Sequence, residues 1–106
     1  MMEICYIEHK NRNENGAAWI AAVKRSKSGQ TVYFNGKSFQ KHRGVSGNYI
    51  DVETGEEYWI SGVKKDGNDR HWAGSGKIMV DKSILSDYLR IIDQSNLPKS
   101  RYEIID

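Results

Sequence analysis

The residues able to do chemistry fall into separate groups along this chain. The acidic group is Asp51, Glu53, Glu56 and Glu57, gathered around a Glu-Thr-Gly-Glu run. Carboxylates this close could divide the roles of general acid and base, or hold a divalent cation. An ordinary solvated turn explains them as well, since no second acidic cluster stands at a defined spacing. The run from Asp66 to Asp69 lacks the alternating ligands and distal Glu of a calcium loop. A zinc site or a Cys–His nucleophile would have to draw on Cys5, His9, His42 and His71, yet the chain has no C-x-x-C and no H-x-x-x-H pair. Cys5, in an alternating apolar segment, reads as a small core residue. No glycine loop leads from a strand into a helix to cradle phosphate. The expectation is a protein with no cofactor and no metal, and not an enzyme.

The basic group carries more. From Asn15 to Ile50 the chain has no Asp or Glu, while Lys24, Arg25, Lys27, Lys37, Lys41 and Arg43 are all positive, with His42 among them. Tyr33 and Tyr49 alternate with these cations. Aromatic faces stack bases at about 1–3 kcal/mol each, and Lys or Arg neutralise phosphates without reading sequence. The net charge of +2 would not attract a polyanion, but a local patch would. The plainer alternative is that turns carry Lys because turns are wet, and that the aromatics are core. A further group lies in Lys64 to Trp72. Here Lys64, Lys65, Arg70 and His71 could hold an anion, and Trp72 could mark a partner surface. The alternative is that residues 66–68 make turns, Asp69 pairs with Arg70, and Trp72 tucks back onto the body of the protein. The candidate nucleic-acid or anion-binding set is therefore Lys24, Arg25, Lys27, Tyr33, Lys37, Lys41, Arg43, Lys64, Lys65, Arg70, His71 and Trp72.

These side chains must be positioned by short strands. Residues 2–8 carry the β-formers Ile4, Tyr6 and Ile7, and His9 to Gly16 reads as a polar loop. Ala17 to Lys24 is rich in Ala but short and tightly bounded, which suits a strand better than a helix. Gly29 suits a turn, and Asn35-Gly36 is a strong hairpin signal because both central positions of a type I′ turn need positive φ. Strands are expected at 31–35, 37–41, 48–52, 56–63 and 77–80, with a Gly-rich loop at 64–76. From Asp81 the apolar residues Ile84, Leu85, Tyr88, Leu89 and Ile92 fall on one helical face, with Asp81 as N-cap and an end near Asp93. This stripe is core, or else a dimer or partner surface. Residues 100–105 read as a last strand or an ordered tail.

Short strands joined by tight turns, with no βαβ alternation, argue against a parallel sheet. The expected fold is mainly β, a small antiparallel barrel or strongly bent sheet of SH3-like character. Its one C-terminal amphipathic helix would plug an open end or cover an edge. At 106 residues one domain is expected, and the three Trp, six Tyr and two Phe supply much of its core. The lone Cys5, the absence of a signal-peptide pattern at residues 1–10 and the lack of any long apolar run place the protein in the cytoplasm, off the membrane.

Two stretches carry a resemblance. Ser26-Lys27-Ser28-Gly29, Thr31, Tyr33, Gly36 and Phe39 form one; Tyr49 to Gly62, Lys64 to Gly67 and Asp69-Arg70 form the other. Together they resemble a family of small uncharacterised bacterial proteins with the core S-K-S-G-x-T-x-Y, then Y-x-D-V-E-T-G-E-E-Y-W-I-S-G-x-K-K-D-G-x-D-R. The likeness spans about two thirds of the chain. It implies a closing strand, an Asp and a short helix, as in residues 77–92, and implies no activity. By this reading the core is about 17–93, and the N-terminal strand and C-terminal tail are additions that set oligomerisation or partner choice. The function expected is a small binding module for nucleic acid through the basic and aromatic face. The alternatives are a protein-interaction or inhibitor module, or a binder of an anionic small ligand or nucleotide. The partners expected are nucleic acid, another protein or a second copy of the chain.

Overall fold

The computed structural model describes residues 2–11, 14–44, 47–67, 69 and 76–106. Its backbone runs β1 (Met2–Asn11), β2 (Glu14–Arg25), β3 (Thr31–Phe34), β4 (Lys37–Lys41), β5 (Tyr49–Asp51) and β6 (Glu57–Gly62). There follow β7 (Ile78–Asp81), a 3-10 turn at Lys82–Ile84, α1 (Leu85–Ile91) and β8 (Tyr102–Ile105). β1 to β6 pair antiparallel in chain order, and β6 returns to β1, closing a small barrel. Closure removes the exposed edges an open meander would leave.

The hairpin turns form as their residues dictate. Asn35 and Gly36 take φ of 53° and 74°, as a type I′ turn requires, and Gly29 takes 75°. The expected loop at His9 to Gly16 is corrected. The β1–β2 ladder continues through Lys10↔Asn15 and Asn11↔Glu14, with a register shift between Glu8 and Lys10. Polar side chains there do not end the strand, because β6 still pairs with β1 as far as Lys10↔Glu57.

Side-chain parity divides the interior into two cores. Cys5, Ile7, Ala21 and Val23 point into the barrel with Val32, Phe39, Tyr49, Tyr58 and Ile60. Tyr6, Ala18 and Ile20 point the opposite way, joining Ile78, Val80, Ile84, Tyr88, Ile92 and Tyr102. This double burial explains the nearly unbroken apolar run of residues 17–23: both faces of β2 are covered. It also corrects the place given to the first strand. β1 lies between β2 and β6, so the barrel does not close without it.

Two further corrections concern the C-terminal half. β7 runs parallel to β2, and β8 runs parallel to β7. The chain between β7 and β8, which includes α1, is long enough for the crossover a parallel pair needs. The helix neither plugs an end nor covers an edge; Ile84, Tyr88 and Ile92 lie on the outer sheet face made by β1, β2, β7 and β8. Asp81 caps the 3-10 turn that leads into α1, its Oδ1 accepting from the Ser83 N–H at 2.9 Å, and Ile84 at the start of α1 itself makes no side-chain cap. Among the described residues no helix is long and apolar enough to cross a membrane.

Candidate anion-binding surface

The stretch without acids, residues 15–50, becomes most of β2, all of β3 and β4 and the turns between them. Strand alternation decides where each cation goes. Val23 and Val32 face the barrel interior, so Lys24 and Tyr33 face outward. They are direct cross-strand partners, a pairing that brings Cβ atoms to roughly 4.5–5.5 Å. Tyr33 is 44% exposed and is opposed on its other side by Ser38 of β4. Met2, Lys24, Tyr33, Asn35, Gly36 and Lys37 border a groove of about 470 Å³, and among the described residues no Asp or Glu lines it.

A second hollow, of about 370 Å³, lies at the far end of β4. Lys41, His42, Arg43, Gly44, Gly47 and Asn48 border it, with the three basic side chains exposed. Beneath it the Glu57 carboxylate accepts from the Gly47 N–H at 3.1 Å. Lys37 and Lys41 are the two ends of β4, roughly 13 Å apart at 3.3 Å per residue. The Lys41 N–H donates to the Gln30 carbonyl at 2.8 Å, so the turn carrying exposed Lys27 sits at that same end.

Not every expected cation joins this wall. Arg25 has inward parity. Its Nε donates to Glu3 Oε2 at 2.6 Å and its Nη1 to the Tyr49 hydroxyl at 3.0 Å. The Glu3 carboxylate above all, and the Tyr49 hydroxyl after it, push the guanidinium pKa higher still. Lys37 reaches Asp51 Oδ2 at 3.1 Å, and this buried partner raises the ammonium pKa. Asp51 is itself held below the usual carboxylate range, first by the Glu53 N–H at 2.9 Å and then by Lys37, against the opposing pull of burial. Tyr49, read as a stacking aromatic, is instead 4% exposed inside the barrel. Lys24, Lys27, Lys41 and Arg43 make no ion pair among the described residues.

Lys64 and Lys65 are exposed but belong elsewhere. Their turn ends at Gly67, whose carbonyl accepts from the Tyr102 hydroxyl at 3.4 Å on the helical side of the sheet. Asp69 serves this turn, taking the Lys64 N–H on both oxygens at 3.0 and 3.3 Å. Desolvation raises its pKa in spite of that bond. Arg70, His71 and Trp72 lie outside the described residues. The exposed aromatic that sequence reasoning missed is Trp59, 41% exposed. The signal was present, since Tyr58 and Ile60 on either side of it are both core residues.

The carboxylate hairpin does not assemble as an acid–base pair. Asp51 is buried against Lys37, while Glu56 pairs with His9 at 3.1 Å across the barrel rim. His9 in turn stacks on Tyr58 with ring centroids 4.7 Å apart. Cys5 is fully buried, and burial first, then Glu3, pushes its thiol pKa up to about 11 although Arg25 opposes. Among the described residues no group of three His, Cys, Asp or Glu is placed to hold a metal. Compared with family models, with curated proteins and with solved structures, the chain matches none.

Proposed function

We propose that the protein is a non-enzymatic binding module whose β2–β4 wall holds a single-stranded nucleic acid. The observation that carries this reading is the Lys24–Tyr33 pair. Among the described residues, an exposed aromatic stands directly beside a cation that has no ion-pair partner, in a groove that no acid lines. Tyr33 supplies a face on which a base can stack, a contact worth about 1–3 kcal/mol. Lys24 neutralises the adjoining phosphate, and the exposed Lys27, Lys41 and Arg43 add positive field at the far end of β4. Backbone neutralisation and stacking do not read base edges, so affinity is expected to depend on salt more than on sequence.

Fluorescence anisotropy with a labelled oligonucleotide over a range of salt concentrations tests this. Tyr33→Ala should weaken binding about 5- to 150-fold, the equivalent of one stacked base, and leave the salt slope unchanged. Lys24→Ala should weaken binding and lower that slope by about 0.7, the value for one contact to a single strand. Lys64→Ala with Lys65→Ala should change neither. No salt-dependent binding by the parent protein sinks the proposal, as does a loss at Lys64 and Lys65 equal to that at Lys24.

A further inference from the structure

A second surface, independent of the basic wall, lies where α1, the connection at residues 93–99 and β8 meet. They enclose a groove of about 500 Å³, within the range of about 300–1,000 Å³ typical of small-molecule sites. Most of its lining is apolar, from Leu85, Leu89, Leu97 and Ile104. Leu97 and Leu85 rest partly on the helical core, and Ile104 remains 50% exposed. Lys77 and Lys99 also border it, both exposed. Neither makes an ion pair among the described residues.

The topology sorts these residues along the groove. β7 and β8 are parallel, with Ile78 beside Tyr102 and the Ile78 N–H donating to the Arg101 carbonyl at 2.8 Å. Lys77 and Lys99, just before the two strands, are therefore at the same end. The helix starts beyond the far end of β7 and runs back, since Tyr88 meets the Tyr102 ring and Ile92 comes close to Gly67. Leu85 and Ile104 thus lie toward the opposite end, away from the two lysines, with Leu89 between. The acidic lining residue, Glu103, stands between Tyr102 and Ile104 on β8 with the alternate parity.

We propose that this groove binds a small anionic amphiphile, an aliphatic carboxylate whose head meets Lys77 and Lys99 and whose chain lies over Leu85, Leu89 and Ile104. Positive charge at one end and apolar surface along the rest match that ligand's own division. A plain hydrocarbon would make no use of the paired lysines, and an alkylammonium ion would be repelled by them.

Isothermal titration of the full chain with hexanoate, octanoate and decanoate, each below its micellar concentration, tests the proposal. Each methylene buried should tighten Kd about fourfold, so each two-carbon step should gain about fifteenfold. Decylammonium should bind at least tenfold more weakly than decanoate. Lys77→Gln with Lys99→Gln should abolish that preference while leaving decanol binding unchanged, and Leu89→Glu should remove binding of the whole series. The lysine variants alter exposed side chains, so they carry the test even if Leu89→Glu disturbs the helix. A decanoate titration without saturable heat overturns the proposal, and so does a Kd independent of chain length. Equal affinity for decanoate and decylammonium overturns it too, leaving an apolar groove of the kind a peptide segment covers.

Discussion

The ladder between β5 and β6 is extended by one side chain, and its removal should be costly. Asn48 stands just before β5 and uses its amide as a strand residue uses its backbone. Its Oδ1 accepts the Ile60 N–H at 2.8 Å, and its Nδ2 donates to the Ile60 carbonyl at 2.8 Å. Its own N–H donates to the Tyr58 carbonyl at 3.0 Å, and its carbonyl accepts from the His42 N–H at 3.0 Å. Ile60 is 2% exposed, so its two backbone groups depend on this partner. Asn48→Ala orphans both. A buried polar group left without a partner costs about 1–3 kcal/mol; because Asn48 itself is half-buried and water can reach part of the gap, the lower half of that range applies. The sum is about 2–4 kcal/mol, against a total stability of about 5–15 kcal/mol for a domain. For a chain of this size that corresponds to a fall in Tm of roughly 10–20 °C.

Asn48→Asp sharpens the test, because it removes the donor and keeps the acceptor. The ionised carboxylate would set an oxygen against the Ile60 carbonyl, whereas the protonated form can donate to it. The folded state therefore disfavours the charged form, and the carboxyl pKa is raised above its unfolded value of about 3.9. A group raised in this way stabilises fully below the unfolded pKa, and its contribution is lost as pH rises through the folded pKa. Urea unfolding of wild type, Asn48→Ala and Asn48→Asp at several pH values should show a deficit for Asn48→Asp that grows from acid to neutral pH and a constant one for Asn48→Ala. A deficit for Asn48→Ala below about 0.5 kcal/mol would refute the reasoning, since a surface substitution costs that much. An Asn48→Asp deficit that ignores pH would refute it as well.

Three other perturbations follow from the same structure. Asp51 has a depressed pKa, so it stabilises above the unfolded value of about 3.9 and loses that contribution as pH falls through the folded value. Chemical unfolding of Asp51→Asn should show a gap from wild type that narrows below about pH 4; a gap constant with pH counts against the Glu53 N–H bond and the Lys37–Asp51 pair as holders of an ionised Asp51. Cys5, with its thiol pushed up to about 11, should react with an aromatic disulfide reagent at pH 8 about a hundredfold more slowly in the native protein than in guanidinium, from thiolate population alone. Comparable rates would place the thiol outside the barrel. Gly36→Val, at φ 74°, should lose about 1–2 kcal/mol in thermal melts while Asn35→Gly stays near neutral, and equal melts would argue against the type I′ turn.

Much of the barrel was legible because its hairpins carry local signals. Asn35-Gly36 forms the turn expected of it, and the strand at 37–41 has the expected bounds. The helix, the Asp81 cap of the turn leading into it and the buried Ile84, Tyr88 and Ile92 follow from spacing alone. What was not legible is nonlocal. The length of β1 beyond Glu8 depends on β6, some fifty residues on, and its polar residues carry no periodicity that would announce a strand. The parallel placement of β7 and β8 depends on a second, helix-covered core outside the barrel. Its sequence trace, the apolar run of residues 17–23, reads the same whether one buries it in a helix or between two layers.

The site was legible in part, and parity explains which part. Cations and acids with inward parity find each other: Arg25 meets Glu3, 22 residues away, and Lys37 meets Asp51, 14 residues away. A sequence read for local charge density counts Arg25 and Lys37 with the patch, because their partners lie beyond the window. Lys24, one residue from Arg25, has outward parity and keeps its charge beside Tyr33. The wall is therefore positive not because the chain is basic but because acids near it are turned inward or committed to backbone N–H groups, Glu57 at Gly47 included. It follows that reversing Lys24 to Glu should disturb the field far more than the same change at Arg25, even though the two are neighbours. At Arg25 the change should instead open the barrel mouth, by setting a carboxylate against Glu3.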